Sequence, residues 1–559
     1  MTKPRARHSG RSAFLSLLAD EGVNHLFGNP GTTEIPIMEA LARQTEVQYV
    51  LGLQEGAVMA MAEGYARASG SLAACNVHVA PGLGNAMGSL YNAKFSGAPV
   101  IVAAGQHSPG MAVTDPPLYD NLVAMAQPLV KWAFEPSRLQ DLPRVMRRAA
   151  KIALTPPTGP VFVSLPGDIL EDEGELDFGA RTRVDVATRP SDTAISNLAD
   201  RLLAARNPIM VAGHELSTRD AWKEAEQFAE LLGMPVYHQT FLWSAAYSSR
   251  HPAYMGVYPL DQAKSFALLE QHDLLVVIGG DAIRMASVPS TLEPMPAGYP
   301  VVHVSERDWE LGKIYPTEIA ICANVRDTLA ALLPVLASRR SPERAAAAAK
   351  NMKALAGRNW TATRQQLVKS VADSLTTKPI DPRVAMMQLS DHLAPGTAVV
   401  EEALTSGFML PGFMAFSDPK SYYGPTSGSI GFAVPGAIGI SLASPGRPVL
   451  VIVGDGSAMY NIQALWTAAN LRLPITYVVV NNRGYRILKE RLARRWKTDK
   501  FVGMDFREPP IDFVSLAASM GVKGRRVEDP ADLVPALREA QAAGEPRLID
   551  LIVQNGFGD

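Results

Sequence analysis

The sequence predicts an α/β protein with three domains, each built on a doubly wound parallel sheet. The chain has 559 residues, a length that ordinarily corresponds to three or four domains. Short apolar runs alternate with helical stretches, which is typical of parallel sheets covered by helices on both faces. The segments 73–106 and 449–482 share one order of strand, glycine turn, helix, proline and strand. We therefore expect the first and third domains to be architecturally alike.

Changes in composition mark the predicted domain boundaries. The first domain is expected over residues 1–180 and the central domain over 190–336, because the segment 179–192 between them is polar. Residues 337–375 are rich in alanine and charged residues with little apolar patterning, so they are expected to form a helical connector. The third domain is then expected over 376–559.

Composition and charge argue against several functional classes. A net charge of −2 gives no general attraction to nucleic acid or to a membrane surface. No apolar stretch is long enough to span a bilayer, and the basic, amphipathic N-terminus lacks the apolar core of a signal peptide. The two cysteines, Cys75 and Cys322, are too few for a disulfide framework. The sequence therefore predicts a cytoplasmic protein that binds neither nucleic acid nor a membrane.

Polar residues end two neighbouring apolar runs of the third domain. One run ends in Gly-Asp-Gly at 454–456 and the next in Asn-Asn at 481–482, with 24 residues between the two motifs. Ligands bind beyond the carboxyl ends of strands in such sheets, and a helix expected from about Ser457 would direct N–H groups at a phosphate. The carboxylate of Asp455 and an asparagine carbonyl, with phosphate oxygens, suit Mg²⁺. The pattern predicts a site for a metal ion and a diphosphate.

Each half of this motif has a structural explanation when taken alone. Asp455 could cap the helix, and the asparagines could form a turn. The combination at this spacing is far more specific. It resembles the thiamin diphosphate motif, in which Gly-Asp-Gly is followed about two dozen residues later by Asn-Asn.

The chain as a whole resembles the thiamin diphosphate-dependent 2-oxo acid decarboxylases and carboligases. The resemblance is strongest to benzoylformate decarboxylases, within the wider group of acetolactate synthases and pyruvate decarboxylases. The segments that carry it occur in the same order along the chain and are 25–36, 77–90, 100–106, 128–136 and 428–439. The resemblance implies pyrimidine-binding, central and diphosphate-binding domains in a homotetramer, a dimer of dimers with active sites between paired subunits. It implies thiamin diphosphate and Mg²⁺ as cofactors.

The resemblance also implies roles for individual residues of the third domain. Asp455, Asn482 and the carbonyl of Gly484 would hold the metal ion. Gly428 would offer its carbonyl to the aminopyrimidine, and Ile430 would bend the cofactor into its V shape. The remaining residues expected at the cofactor are Thr405, Gly454, Gly456, Ser457, Tyr460 and Tyr485.

Catalytic residues are expected from the first domain. Glu55 lies at a strand end and a helix start, where a structural glutamate favoured by the helix dipole would also fit. The resemblance implies that Glu55 hydrogen-bonds the pyrimidine in a neighbouring subunit and promotes the imino tautomer that generates the ylide. His78 could be a structural histidine, but its place beside a Pro-Gly-Leu-Gly-Asn turn favours proton transfer. Thr32 falls on a substrate-binding serine of the relatives, and His107 is a candidate for the pocket wall.

The resemblance weakens at the substrate pocket. Ala286 stands where the relatives have a second active-site histidine, and Ile487 stands where they have alanine. Gly424 and Arg491 replace aromatic residues. We therefore expect a 2-oxo acid or aldehyde substrate other than benzoylformate. Such an enzyme could also pass the acyl group to an aldehyde or ketone. The alternatives to a 2-oxo acid decarboxylase are an acetolactate synthase-like carboligase and an acyl-CoA lyase or decarboxylase. FAD is not indicated and not excluded.

A basic segment follows the asparagine pair. Residues 483–507 contain nine Lys or Arg and three Asp or Glu, a net charge of 9 − 3 = +6. Such a run is usually a solvated helix face. The alternative is an electrostatic funnel for an anionic substrate, in which Arg491 or Lys489 binds a second carboxylate or a phosphate.

Overall fold

A computed structural model describes residues 6–281 and 294–557 of the chain. It contains three six-stranded sheets, and every strand pair within them is parallel. The predicted fold class is confirmed. Adjacent residues of one strand, such as Leu26 and Phe27, belong to different hydrophobic clusters, because successive side chains of a strand point to opposite faces. Both faces of the sheet are therefore buried.

The N-terminal sheet has the strand order β3-β2-β4-β5-β7-β6. The strands are β1 (Ala6–Ser9), β2 (His25–Gly28), β3 (Gln48–Leu51), β4 (Ala73–Val77), β5 (Val100–Gln106), β6 (Ala133–Phe134), β7 (Val161–Pro166) and β8 (Glu173–Leu176). The helices are α1 (Gly10–Asp20), α2 (Ile35–Leu41), α3 (Glu55–Ser69), α4 (Val79–Ser96), α5 (Leu122–Ala126), α6 (Leu142–Leu154) and α7 (Gly167–Glu171). Strands β1 and β8 form a separate antiparallel pair that the sequence did not indicate.

The central sheet has the order β11-β10-β9-β12-β13-β14. Its strands are β9 (Pro208–Ala212), β10 (Val236–His238), β11 (Tyr254–Val257), β12 (Leu274–Ile278), β13 (Val301–Ser305) and β14 (Ile319–Cys322). The helices are α8 (Asp192–Ala204), α9 (Glu215–Thr218), α10 (Trp222–Leu232), α11 (Gln262–Leu269) and α12 (Val325–Arg339). Two further helices, α13 (Pro342–Ala356) and α14 (Trp360–Ser370), lead to the last sheet.

The C-terminal sheet has the order β16-β15-β17-β18-β20-β19. Its strands are β15 (Ala398–Glu402), β16 (Tyr422–Tyr423), β17 (Val449–Gly454), β18 (Ile475–Asn481), β19 (Lys523–Val527) and β20 (Arg547–Ile552). The helices are α15 (Pro382–Asp391), α16 (Leu410–Phe413), α17 (Ala433–Ala443), α18 (Asp455–Ala458), α19 (Ala464–Asn470), α20 (Arg486–Trp496), α21 (Phe513–Ser519) and α22 (Pro530–Ala542). Apart from β1 and β8, the N-terminal and C-terminal sheets follow the same strand order, as the two matching segments predicted.

Helices of the N-terminal and C-terminal domains pack against each other within one chain. A Cβ atom placed on Gly64 of α3 would lie 2.1 Å from the carbonyl oxygen of Gly436 in α17. One placed on Gly439 would lie 1.9 Å from the carbonyl oxygen of Met61. Since such distances are well below van der Waals contact, only glycine allows the two backbones to approach this closely. None of the helices in the described ranges is long and apolar enough to cross a membrane.

Candidate active site

The strand order of the C-terminal sheet defines where a ligand would bind. The order reverses between β15 and β17, and open α/β sheets bind ligands at the carboxyl edge of such a switch point. Thr405 follows β15, and Asp455 follows β17 directly. Asn482 follows the next strand, β18, whose register places Val480 beside Gly454. The predicted metal and diphosphate residues therefore meet at one edge of this sheet.

Asp455 is buried at this edge without a positively charged partner. Its carboxylate accepts hydrogen bonds from the backbone N–H of Gly456 at 2.8 Å and of Gly484 at 3.1 Å. Among the described residues, no Lys or Arg forms an ion pair with it. Burial raises the pKa of Asp455 to about 6, although these N–H groups act to lower it. A bound cation would supply the missing positive charge.

Asn482 offers a second oxygen to such a cation. The side chain is 8% exposed, and its Oδ1 has no hydrogen-bond partner in the described part of the chain. The neighbouring Asn481 differs, because its amide donates to Asp550 and its Oδ1 accepts from the N–H of Arg483. An unsatisfied buried oxygen is costly, and a metal ion would satisfy it. Asn482 fits the predicted ligand role, whereas Asn481 has a structural one.

The donor set fits Mg²⁺ bound together with a diphosphate. Asp455, Asn482 and the carbonyl of Gly484 would give the ion only hard oxygen ligands. The described ranges contain no group of three or more His, Cys, Asp or Glu side chains that could hold a metal without help. Mg²⁺ typically binds to one or two carboxylates and takes its remaining ligands from phosphate and water.

The turn after Asp455 is shorter than the sequence indicated. A helix was expected from about Ser457, but α18 ends at Ala458 and α19 begins only at Ala464. A single turn carries little dipole, so any stabilisation of a phosphate rests on its individual N–H groups. A Cβ on Gly456 would lie 2.6 Å from the ring of Tyr485, which explains the glycine. Ser457 is buried within this turn.

The loop that carries Gly428 and Ile430 lies beside this turn. Gly431 accepts a hydrogen bond from the Asn461 side chain at 2.7 Å, and a Cβ on Gly431 would lie 2.9 Å from the Cβ of Tyr460. Tyr460 is 56% exposed. The structure thus places the loop of Gly428 and Ile430 beside Tyr460, one of the residues predicted at the cofactor.

Glu55 and His78 meet at the corresponding edge of the N-terminal sheet. Glu55 begins α3, and its carboxylate accepts hydrogen bonds from Asn85 at 3.0 Å and Asn29 at 3.3 Å. His78 follows β4 directly. A Cβ on Gly82 would lie 3.1 Å from a Glu55 oxygen and 3.4 Å from the Cβ of His78. The two predicted catalytic residues therefore flank one glycine.

Glu34 orients His78, a role that was not predicted from the sequence. The Nδ1 atom of His78 lies 2.7 Å from Glu34 Oε2 and 3.1 Å from Thr33 Oγ1. Glu34 is fully buried and also accepts hydrogen bonds from the N–H groups of Gly31 at 2.9 Å and Gly105 at 2.8 Å. A proton on Nδ1 would be donated to Glu34, which leaves Nε2 to exchange protons. The one indication of this role in the sequence is that Glu34 is an acidic residue in the turn after β2.

Two other residues of the N-terminal domain, Thr32 and His107, were predicted to line the site. Thr32 is exposed, and the neighbouring Thr33 makes the contact with His78. His107 is half-buried, and its Nε2 lies 3.0 Å from the carbonyl oxygen of Pro117. The roles assigned to Thr32 and His107 stay predictions.

Two of the pocket positions predicted in the C-terminal domain lie on α20, whereas Gly424 follows β16 and accepts a hydrogen bond from Arg67 at 3.1 Å. Ile487 is half-buried and Arg491 is exposed. Lys489 is 1% exposed, pairs with Asp505 and lies 3.5 Å from Asn555 Oδ1. Lys489 is therefore not free to bind a substrate anion, and that alternative is wrong. The remaining pocket position, Ala286, lies outside the described residues.

Strained backbone occurs beside several of these residues. Val79, Leu404 and Arg483 have φ values of +40°, +46° and +59°, which L-residues rarely adopt. Val79 follows His78, Leu404 precedes Thr405, and Arg483 separates Asn482 from Gly484. Each such residue costs about 1–3 kcal/mol, and this kind of strain is concentrated at functional sites.

We expect His78→Ala to lower kcat about 100-fold without weakening cofactor binding, because the predicted role of the imidazole is to move protons rather than to hold the cofactor. Acid quenching followed by NMR would show an altered distribution of cofactor-bound species. His392→Ala is a suitable control, since that ring contacts the Gln388 carbonyl on α15. A normal distribution and kcat in His78→Ala would exclude the role.

Family models match all three domains. The N-terminal and C-terminal binding domains of thiamine pyrophosphate enzymes match residues 8–121 and 406–551, and the central domain of these enzymes matches 195–332. Thiamine pyrophosphate is another name for thiamin diphosphate. The chain belongs to the family of thiamine pyrophosphate-dependent enzymes, as its motif predicted.

Individual relatives cover nearly the whole chain. Benzoylformate decarboxylase of Pseudomonas aeruginosa is 32% identical over 97% of this chain and 98% of its own. The solved thiamine diphosphate-dependent 4-hydroxybenzoylformate decarboxylase of Rhodococcus jostii RHA1 is also 32% identical, with a TM-score of 0.86 over 98% of this chain and 99% of its own. The large subunit of acetolactate synthase isozyme 1 of Escherichia coli is 26% identical over 98% and 94% of the two chains. The chain is similar to both decarboxylases and carboligases.

Proposed function

We propose that this protein is a Mg²⁺- and thiamin diphosphate-dependent 2-oxo acid decarboxylase. The observation that carries the proposal is that two buried oxygen ligands meet at one sheet edge. Within the described residues, the Asp455 carboxylate has no cationic partner and the Asn482 Oδ1 atom has no hydrogen-bond partner. Both groups fit a metal ion that binds a diphosphate. When bound, thiamin diphosphate supplies a carbanion centre that adds to a 2-oxo acid and accepts the electron pair left by departing CO₂.

The protein's own residues would bind the metal ion, orient the cofactor and transfer protons. Asp455, Asn482 and Gly484 hold the metal ion, and Gly428 and Ile430 orient the pyrimidine. Glu55 shares a proton with a pyrimidine nitrogen. His78 transfers protons through Nε2 while Glu34 holds the opposite side of its ring. The roles of Gly428, Ile430 and Glu55 rest on the resemblance to the family, and the geometry at the two sheet edges supports the others.

The substrate class follows from the relatives and from the pocket differences. The decarboxylases named above act on benzoylformate and 4-hydroxybenzoylformate. Ile487 would narrow the pocket relative to the alanine of that group, and Arg491 and Gly424 supply no aromatic wall. We therefore propose that the substrate is an aliphatic 2-oxo acid or a 2-oxo acid that carries a second anionic group. A panel of 2-oxo acids, assayed for CO₂ release, tests this assignment, and a preference for benzoylformate would contradict it.

Carboligation is the second candidate activity, because the acetolactate synthase relatives cover the same length of chain. Assaying the panel for 2-hydroxyketone products with added aldehydes distinguishes it from simple decarboxylation.

An absorbance spectrum of the purified protein tests for FAD. A cavity of about 640 Å³ beside the central sheet is lined by Arg219 and Arg307, among other residues. Two of the cations that line it are already engaged, since Arg219 pairs with Glu306 and Arg307 donates to the Phe95 carbonyl.

We propose that the active site is completed by a partner subunit within a homotetramer. Large apolar side chains are exposed around the C-terminal site, namely Phe408, Met459, Tyr460 and Leu488. A second subunit that supplied its Glu55 would cover such a surface. Sedimentation equilibrium would give the oligomeric state, and a monomer with full activity would contradict the proposal.

We also propose a cytoplasmic location. Cys75 and Cys322 are both free thiols, and Cys322 is exposed. Free exposed thiols are typical of reducing compartments. Fractionation of the source cells would test the proposal.

The basic segment permits a prediction about substrate charge. If Arg491 binds a second anionic group, Arg491→Ala should raise KM for a dicarboxylic 2-oxo acid about 10-fold and leave KM for pyruvate unchanged. Added salt should lower kcat/KM for the same substrate, because exposed charges are screened beyond about 10 Å at 0.1 M. Arg494→Ala is the matched control, as Arg494 is exposed on the same helix. If the two variants have the same KM values and the same salt dependence, the basic segment is only a solvated helix face.

A further inference from the structure

The loop expected to contact the pyrimidine has an unusual backbone. This pyrimidine loop comprises residues 427–432 and precedes α17. Gly428 and Gly431 have φ values of +89° and +106°, and Ile430 lies between them. A loop with this geometry forms no regular backbone ladder, so groups elsewhere must hold it in place.

Glu402 holds the loop where it enters α17. It is the last residue of β15 and is fully buried. One carboxylate oxygen accepts a hydrogen bond from the N–H of Gly431, and the other accepts from the N–H of Ala433 at 2.6 Å. Ala433 is the first residue of α17. The single side chain thus fixes the end of the loop and satisfies an N-terminal N–H group of the helix.

The other anchors of the loop are neutral amides. Asn461 donates to the carbonyl of Gly431 at 2.7 Å, and Asn92 of α4 donates to the carbonyl of Ser429 at 3.1 Å. Glu402 is therefore the only carboxylate that the described contacts place on the loop. No Lys or Arg within the described ranges pairs with it. Burial raises the pKa of Glu402 to about 8, and the N–H groups of Ala433 and Gly431 act against that rise. The two contacts therefore favour the ionised form, which can accept both hydrogen bonds.

We propose that Glu402 is a positioning residue for the cofactor, one that sets the pyrimidine ring by fixing the backbone directly after Ile430. This inference rests on the proposed function. A displaced loop would move the Gly428 carbonyl and the Ile430 side chain together. Because a misplacement of about 1 Å can cost roughly 100-fold in rate, the consequence is a catalytic one.

Glu401 provides a matched control from the same strand. It precedes Glu402 and is also buried, but its side chain points to the opposite face of the sheet. Its carboxylate accepts hydrogen bonds from the N–H of Ala403 at 2.6 Å and from the Tyr422 hydroxyl at 3.0 Å. None of these contacts involves the pyrimidine loop.

The test compares Glu402→Gln with Glu401→Gln. The side-chain oxygen of a glutamine can accept a hydrogen bond from one of the two N–H groups. Its NH₂ group then faces the other N–H, from which it cannot accept. In the cofactor-free protein, we expect hydrogen exchange at the amides of Gly431 and Ala433 to be faster in Glu402→Gln than in Glu401→Gln. In the holoenzyme, only Glu402→Gln should weaken the circular-dichroism band of the iminopyrimidine and lower kcat about 100-fold, with KM little changed.

The possible failures can be told apart. If the two variants lose thermal stability alike and show the same exchange, the same dichroism and the same kcat, Glu402 is a structural residue only. Wild-type protein that binds no thiamin diphosphate would overturn the proposed function and this inference together. Faster exchange in Glu402→Gln with wild-type dichroism and kcat would show that the loop is held by Glu402 but does not set the ring, which also overturns the inference.

Discussion

Replacing Glu55 with glutamine should lower turnover roughly 10³-fold while the protein remains folded and binds its cofactor. Glutamine fills the same space beside Asn29 and Asn85 and can keep a hydrogen bond with one of them. It cannot share a proton with the pyrimidine ring. The decisive measurement is the rate of proton exchange at the reactive carbon of the bound cofactor, which should fall with turnover.

A control on the same helix separates this role from the loss of any buried carboxylate. Glu63 of α3 is fully buried and lies 3.5 Å from Arg67, away from the sheet edge that carries Glu55. Glu63→Gln should reduce stability but leave proton exchange intact. Wild-type exchange in Glu55→Gln would assign the proton transfer to another residue.

Replacing Asp455 with alanine should weaken thiamin diphosphate binding at least about 100-fold and abolish its dependence on Mg²⁺. Asp455 is the only carboxylate among the predicted metal ligands, and the charge of a diphosphate needs a cation to neutralise it. The alanine variant also leaves the N–H groups of Gly456 and Gly484 without their acceptor. Titration of the cofactor-free protein with and without Mg²⁺ measures both effects.

Asp550→Asn is the control for this experiment. Asp550 is fully buried in β20 of the same sheet and accepts hydrogen bonds from Asn481 and Arg526. Its replacement should lower stability without changing the requirement for Mg²⁺. If Asp455→Ala binds the cofactor as tightly as the wild type, the metal ion is held elsewhere.

The regular parts of this protein could be predicted because their signals are local. Apolar runs alternating with helices predicted three parallel sheets, and polar residues at strand ends predicted that Asp455 and Asn482 would meet. Neighbouring parallel strands place their carboxyl ends at one edge, so no long-range information was needed.

The features that were missed depend on contacts between distant residues. Glu34 reaches His78 across 44 positions, and Lys489 is buried by Asp505 and by Asn555 near the C-terminus. Helix α18 stops after one turn in a stretch where the Asn461 side chain bonds Gly431, 30 positions away. Sequence periodicity carries no record of such pairings, and tertiary contacts override local preference where they occur.

A crystal structure of the protein with thiamin diphosphate and Mn²⁺ in place of Mg²⁺ would test the central claim most directly. The anomalous signal of manganese would locate the ion without ambiguity. We predict that it lies against the Asp455 carboxylate, Asn482 Oδ1 and the Gly484 carbonyl, with the pyrimidine beside Gly428 and a Glu55 carboxylate. An ion held by other residues, or a cofactor bound away from the edge formed by β15, β17 and β18, would contradict the account.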